Sequence, residues 1–175
     1  QPKLPQTEIA IATRRRPENR TSYALYLRAV REFRSMTREG FAEARRLAHR
    51  AVELDPRFGL AAALAGNCYA LNVVFGFAVD PQFERAEALR LARLALSVDD
   101  SDADTLAWVS FIAAVMIGTS ETEIEMVDRA VALNPNAFHT LSCRGHVYRI
   151  AGLPEEAIRS FERAVRMSPV DPVLH

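Results

Sequence analysis

Apolar residues recur along this chain at steps of three and four, the spacing of one helix face, and nowhere alternate long enough to make a strand. The pattern predicts eight helices, at about 21–37, 41–54, 58–75, 81–98, 103–117, 121–133, 137–151 and 154–167. Short signals mark their ends. Asp80-Pro81 reads as a cap followed by proline at the first helical position. Ser120 with Glu123 reads as a capping box. Pro154-Glu155-Glu156 opens the last helix with negative charge at the positive end of its dipole. Gly40 and Gly152 are expected in short turns between paired helices.

One phrase returns along the chain. Ala51-Val52-Glu53-Leu54-Asp55-Pro56, Ala130-Val131-Ala132-Leu133-Asn134-Pro135 and Ala164-Val165-Arg166-Met167-Ser168-Pro169 each read as a last helical turn stopped by proline. Ala95-Leu96-Ser97-Val98-Asp99-Asp100 is a degenerate copy. The phrases end at 56, 100, 135 and 169, separations of 44, 35 and 34 residues. A period near 34 is that of a helix–turn–helix repeat. The longer interval holds an apolar excess between Asn72 and Phe83, with Val73, Val74, Phe75, Phe77 and Val79. It is expected to extend the third helix beyond its partner, turn at Gly76, and pack on the stack or in an interface.

The last repeat is the fullest. Gly145 and Tyr148 stand three apart on its first helix, and Ala157, Phe161, Ala164 and Pro169 follow on the second. Residues 138–171 therefore resemble a tetratricopeptide repeat (TPR). In that family small residues let the paired helices approach and large ones fill the neighbouring holes. Elsewhere the pattern falls on Ala44, Ala51 and Pro56; on Gly66, Tyr69, Ala88 and Ala95; and on Trp108, Ala130 and Pro135. The resemblance implies an all-α fold, a right-handed superhelical solenoid of antiparallel helix pairs. Its four repeats would span about 21–57, 58–101, 102–136 and 137–171, within a domain over 21–175 that follows a linker over 1–20. It assigns repeat packing to Gly66, Tyr69, Trp108, Gly145, Tyr148, Ala157, Phe161 and Ala164.

A second likeness is narrower. Arg16-Pro17-Glu18-Asn19, Tyr23-Ala24-Leu25-Tyr26-Leu27-Arg28-Ala29, Thr37-Arg38-Glu39-Gly40 and Ala86-Glu87-Ala88-Leu89-Arg90-Leu91-Ala92 are similar to the TPR region of bacterial class III adenylate/guanylate cyclases. Related winged-helix regulators carry similar regions. The likeness implies a non-catalytic protein-interaction module, the regulatory or oligomerising region of a cyclase-like signalling protein. The alternative is the sensor region of a winged-helix transcriptional regulator.

Composition narrows the reading. With 175 residues, 49% apolar and 25% charged, the chain is expected to form one globular domain. Basic and acidic residues balance at 22 each, which argues against a nucleic-acid partner. The 28 alanines and only 7 glycines favour helix. Cys68 and Cys143 fit neither a disulfide framework nor a metal site, so both are expected in the core of a cytoplasmic protein. The chain opens at Gln1 without an initiator Met or a signal pattern, and is expected to be a piece of a longer protein. Phe58 to Val79 runs 22 residues without a charge, enough to span a bilayer. Asn67, Asn72 and three glycines within it point instead to a helix buried in a stack.

Candidate chemistry is sparse. Asp100-Ser101-Asp102-Ala103-Asp104 copies the opening of a calcium loop, but Thr105 and Phe111 stand where Gly and Glu are needed, leaving a helix-capping role. Arg14-Arg15-Arg16 reads as a solvated linker. His139 and His146 lack the further ligands a metal needs. No nucleophile with a paired base and no phosphate loop is present, so neither catalysis nor a cofactor is expected.

In TPR arrays the first helix of each pair lines the concave face. Carried over, the partner-binding groove takes Tyr23, Tyr26 and Phe33, then Asn67 and Leu71, then Val109 and Met116, then His139, His146 and Arg149. The lysine of chaperone-binding members is missing. The expected partner is a protein, a peptide or another domain of the same protein, with no nucleic acid and no membrane. Val52, Leu96 and Val131 should each pack on the following helix pair. Ile158 and Val165 share the equivalent stripe of the last helix and are assigned to self-association, as a homodimer.

Overall fold

The computed structural model describes residues 20–167, and every regular element among them is an α-helix. The linker up to residue 19, with Arg14-Arg15-Arg16, and the closing Pro169 lie outside the described residues. In chain order the helices are α1 (Arg20–Phe33), α2 (Arg38–Leu54), α3 (Gly59–Val74), α4 (Pro81–Val98), α5 (Ala103–Ile117), α6 (Glu121–Leu133), α7 (Phe138–Ile150) and α8 (Pro154–Met167). They pack as successive pairs, and α3, α5 and α7 each also lie against the second helix of the preceding pair.

The ends follow from single residues. Asp80 accepts a hydrogen bond from the Phe83 N–H at 3.0 Å and Pro81 opens α4. Asp102 accepts from the Thr105 N–H at 2.9 Å, and Ser120 with Glu123 forms the full capping box. At the other end, Asp55, Asp99 and Asn134 each donate their N–H to the alanine carbonyl four residues back, at Ala51, Ala95 and Ala130. The recurring phrase thus closes α2, α4 and α6 in the same way.

The first hairpin departs from expectation. α1 stops at Phe33 rather than 37, and α2 starts at Arg38 rather than 41. Thr37 is the reason, since its hydroxyl accepts the Gly40 N–H at 3.0 Å and caps α2. Gly40 therefore lies in the first turn of α2 and not in the connection. A Cβ there would fall 2.6 Å from the Glu32 carbonyl oxygen. The turn itself places Met36 at φ 52, the left-handed region, while half-burying it against the core.

The apolar excess after α3 is only partly packed. The helix ends at Val74 instead of extending, and the chain turns at Gly76 (φ 71). The Phe77 and Ala78 N–H groups both donate to the Asn72 carbonyl, at 2.8 and 3.2 Å. Val73 and Phe77 join the core, whereas Val74, Phe75 and Phe83 are about half exposed and Val79 is 86% exposed.

α3 is the centre of the stack. Residues 61 to 72 are all buried, five of them alanine. This places most of the uncharged run inside protein, and no described helix is long and apolar enough to cross a membrane. Cys68 and Cys143 are buried and unpaired thiols.

Candidate partner-binding groove

The inward face is built from rings carried by α1, α5 and α7. Tyr23 and Tyr26 of α1 flank Phe58, with ring centres 6.4 and 5.1 Å away. Two turns further along, Phe33 lies 5.6 Å from Phe41 and meets Trp108 of α5 edge-on at 5.4 Å. Trp108 in turn lies 4.0 Å from His139 of α7. Phe111 and Phe161 hold His146 between them at 5.5 and 5.0 Å. The result is a continuous row, Phe41–Phe33–Trp108–His139, that joins the first helix pair to the third and fourth.

The row is possible because α3 is thin. Ala63 and Ala70 of α3 are fully buried and small, so Phe33 of α1 reaches Trp108 of α5. α1 packs mainly on α2, with Leu25 and Val30 against the core. Only Ser22 and Ala29 are buried on it, and Ser22 Oγ donates to the Ala51 carbonyl at 2.9 Å.

Burial sets the charge state of the titratable groups. It raises the Tyr26 phenol well above its usual value, and Asp104 and Asp102 push the same way. Burial lowers His139 to about 4, with Arg34 adding to the effect and a hydrogen bond to the Asp104 backbone opposing it. His146 is also lowered to about 4, by burial and then by Arg149. The Cys143 thiol, 3.8 Å from His139 Nδ1, is pushed up by burial and by Asp104. Burial thus favours a neutral imidazole beside a protonated thiol at neutral pH.

Four expected groove residues are not available to a partner. Asn67 (1% exposed), Leu71 (7%), Val109 (4%) and Met116 (1%) are core residues. In α5 the inward contacts run through Asp104, Trp108 and Phe111, so the expected register of that helix is displaced. Trp108, expected to serve repeat packing, packs on the core and also joins Phe33 of α1 to His139 of α7. Its spacing from Asp104 and Phe111, four and three residues, is the signal in the sequence that could have found it. Arg149 in the last turn of α7 is exposed, and Ile117 at the end of α5 is 68% exposed.

The packing positions form close contacts. A Cβ on Gly145 would stand 2.5 Å from the Phe161 ring, and one on Gly66 would stand 3.1 Å from the Ala88 carbonyl oxygen. Ala157 and Ala164 are buried. Tyr69 lies under the Arg45 guanidinium at 4.6 Å, and Tyr148 under that of Arg144 at 4.2 Å. The Tyr148 hydroxyl donates to Asp128 at 2.8 Å. On α8, Ile158 is 56% exposed and Val165 half-buried.

A second cleft of about 470 Å³ lies between α6 and α8. Arg144 crosses it, donating to Asp128 and to Ser160 Oγ at 2.7 Å each. Arg159 pairs with Glu156, and Arg163 donates to the Pro135 carbonyl. Arg144 thus joins α7 to α6 and α8, and Arg163 joins α8 to the turn after α6, while the Arg159–Glu156 pair lies within α8. The aspartates after α4 serve α5, with Asp102 as its cap and Asp104 in its first turn. Among the described residues no group of three His, Cys, Asp or Glu side chains could hold a metal ion.

No family model and no curated protein matches the sequence. Solved structures do match the fold. The chain superposes on TTC0263, a thermophilic TPR protein of Thermus thermophilus, with a TM-score of 0.67 at 19% identity, over 96% of this chain and 84% of that one. It superposes on the MamA protein with a TM-score of 0.50 at 17% identity, over 85% of this chain and 74% of that one. The fold is that of TPR proteins, a right-handed superhelical solenoid of antiparallel helix pairs.

Proposed function

We propose that this chain is a TPR-family protein-interaction module whose partner is a protein or peptide, or another domain of the same protein, docked along the inward face of the first helices. One observation carries the reading. Ile117, 68% exposed, and the exposed Arg149 close the C-terminal ends of the first helices α5 and α7, which pack on one another, and an apolar side chain and a cation at that end suit a peptide. Among the described residues no acid–base or nucleophilic set competes for the face. The test is capture from a lysate of the source cells on the immobilised chain, compared with an Ile117→Glu/Arg149→Glu variant. A partner retained by the first and lost by the second is expected. Equal retention by both removes this face as the binding site.

The finer reading is the regulatory or oligomerising region of a bacterial adenylate/guanylate cyclase-like signalling protein. It rests on the likeness of the runs at 16–19, 23–29, 37–40 and 86–92. The coding sequence upstream of Gln1 tests it. A nucleotide cyclase domain there is expected, and a winged helix would favour the transcriptional-regulator alternative.

A further inference from the structure

We propose that the cleft between α6 and α8 is a second binding site, separate from the inward face, and that it takes an oxyanion, a carboxylate or a phosphate, carried on a peptide beside an apolar side chain. The proposal does not depend on the reading of the inward face.

Three observations carry it. First, the two helices leave room between them. The cleft of about 470 Å³ is large enough for a small ligand or a few residues of a peptide. Val131, Ala132 and Pro135 give it an apolar wall. Second, its charges do not balance. Arg144, Arg159 and Arg163 line it against Asp128 and Glu156, three cations to two carboxylates. Both carboxylates are taken. Asp128 accepts from Arg144 Nε at 2.7 Å and from the Tyr148 hydroxyl at 2.8 Å. Glu156 pairs with Arg159 and lies 3.8 Å from Arg144 Nη2. Among the described residues Arg163 has no carboxylate partner, and it donates through Nη2 to the neutral Pro135 carbonyl at 3.1 Å. Most of its N–H donors stay available. Third, Arg159 and Arg163 stand one turn apart on α8, and both line the cleft. Like charges at that spacing repel one another. An oxyanion shared by the two converts the repulsion into attraction.

The floor of the cleft is fixed in advance. Ser160 is 1% exposed; it accepts from Arg144 Nη1 at 2.7 Å and donates to the Glu156 carbonyl at 2.8 Å. Arg144 is thereby held in place, and Arg163 and Arg159 at the exposed mouth meet the ligand. The planar fork of a guanidinium matches two oxygens of a carboxylate or phosphate. A bare ion gains only this charge term. An oxyanion with an apolar neighbour also covers the wall of Val131, Ala132 and Pro135, and for that reason a peptide fits the site better than a free ion.

The experiment uses the whole chain and three end-capped synthetic peptides of one leucine-flanked frame, with glutamate, phosphoserine or glutamine at the centre. Inorganic phosphate is the fourth probe. Binding is read by calorimetry and by the nuclear magnetic resonance signals of the arginine Nε–H groups. An acidic peptide is expected to bind and to move the Arg159 and Arg163 signals, while the glutamine peptide leaves them in place. The tighter of the two acidic peptides identifies the oxyanion as carboxylate or phosphate. Arg163→Gln is expected to weaken that binding by about tenfold or more. This variant also touches the bond to Pro135, so Ala132→Glu is the second. It places a carboxylate on the exposed wall, keeps every arginine, and should weaken binding as well. Three results overturn the proposal: neither acidic peptide binds at millimolar concentration, the glutamine peptide binds equally, or both variants bind in full. Inorganic phosphate binding as tightly as the better acidic peptide also overturns it, because the apolar wall then contributes nothing. None of these failures touches the inward face, whose partner is read by capture at Ile117 and Arg149.

Discussion

A methyl group on Gly145 would stand 2.5 Å from the Phe161 ring, and that ring also meets His146 edge-on at 5.0 Å. It cannot swing away without giving up the contact. Gly145→Ala is therefore expected to cost about 1–3 kcal/mol by overpacking, and Gly145→Leu more, measured as a shift in the urea midpoint. Gly152 makes a control, because nothing lies within 4 Å of its added Cβ and only its φ of 76° opposes a side chain, at about 1 kcal/mol. A cost at Gly152 equal to that at Gly145 would refute the packing argument. The histidines give a second prediction at this scale. His139 and His146 are both lowered to about 4, against about 6.5 in an unfolded chain. Between those values the unfolded chain binds protons that the folded one refuses, so stability rises with pH and is lost as pH falls from about 6.5 towards 4. The full loss is on the order of 3 kcal/mol per histidine. Glu43 and Glu87, whose pKa values are lowered by their arginine partners, remain ionised above pH 5, so the upper part of the window reports the histidines. Denaturation midpoints at pH 7.5, 6 and 5 should fall in that order, and a His146→Phe variant should flatten the trend.

At the scale of the helix, single capping residues decide where each element begins. Ser120 donates to and accepts around one turn, with its own N–H and hydroxyl bonded to Glu123 at 2.7 and 2.6 Å. Ser120→Ala is expected to destabilise the protein by about 1 kcal/mol, and hydrogen exchange should quicken first in the opening turn of α6. Exchange unchanged there would show that the cap is dispensable. Such residues also explain which elements the sequence reveals. Asp80-Pro81, Asp102 and Ser120 write the starts of α4, α5 and α6 locally, and these bounds are legible to the residue. The start of α2 is not, because Gly40 has the look of a turn residue while its real demand is for space beside Glu32. The phase of α5 is hidden for a different reason. From Leu106 to Ile117 it carries no charge and is apolar on every side, so periodicity cannot say which stripe faces inward. Trp108 consequently reads as packing within its repeat, and Val109 and Met116 as groove, until the contacts of the rings are seen. In α7, by contrast, His139, His146 and Arg149 break the apolar pattern, and the two histidines do meet the rings of α5.

For the whole molecule, the second helix of each pair must pass an apolar stripe to the pair that follows. Val52 and Leu96 pack into the core and Val131 lines the cleft against α8. On α8 the corresponding stripe leaves Ile158 56% exposed. Sedimentation of the chain is expected to reveal association in the high-micromolar range, abolished in an Ile158→Glu/Val165→Glu variant. A strictly monomeric chain at those concentrations would remove the homodimer. The thinness of α3 has a consequence at this scale too. A solenoid bends towards the side on which its successive helices approach most closely, and the alanines of α3 let the flanking helices touch across it. How near Phe33 comes to Trp108 is thus set by side-chain volume at one helix as well as by the connections between repeats. A bulkier residue at Ala63 or Ala70, both fully buried, is expected to overpack this contact at about 1–3 kcal/mol, read as a shift in the urea midpoint.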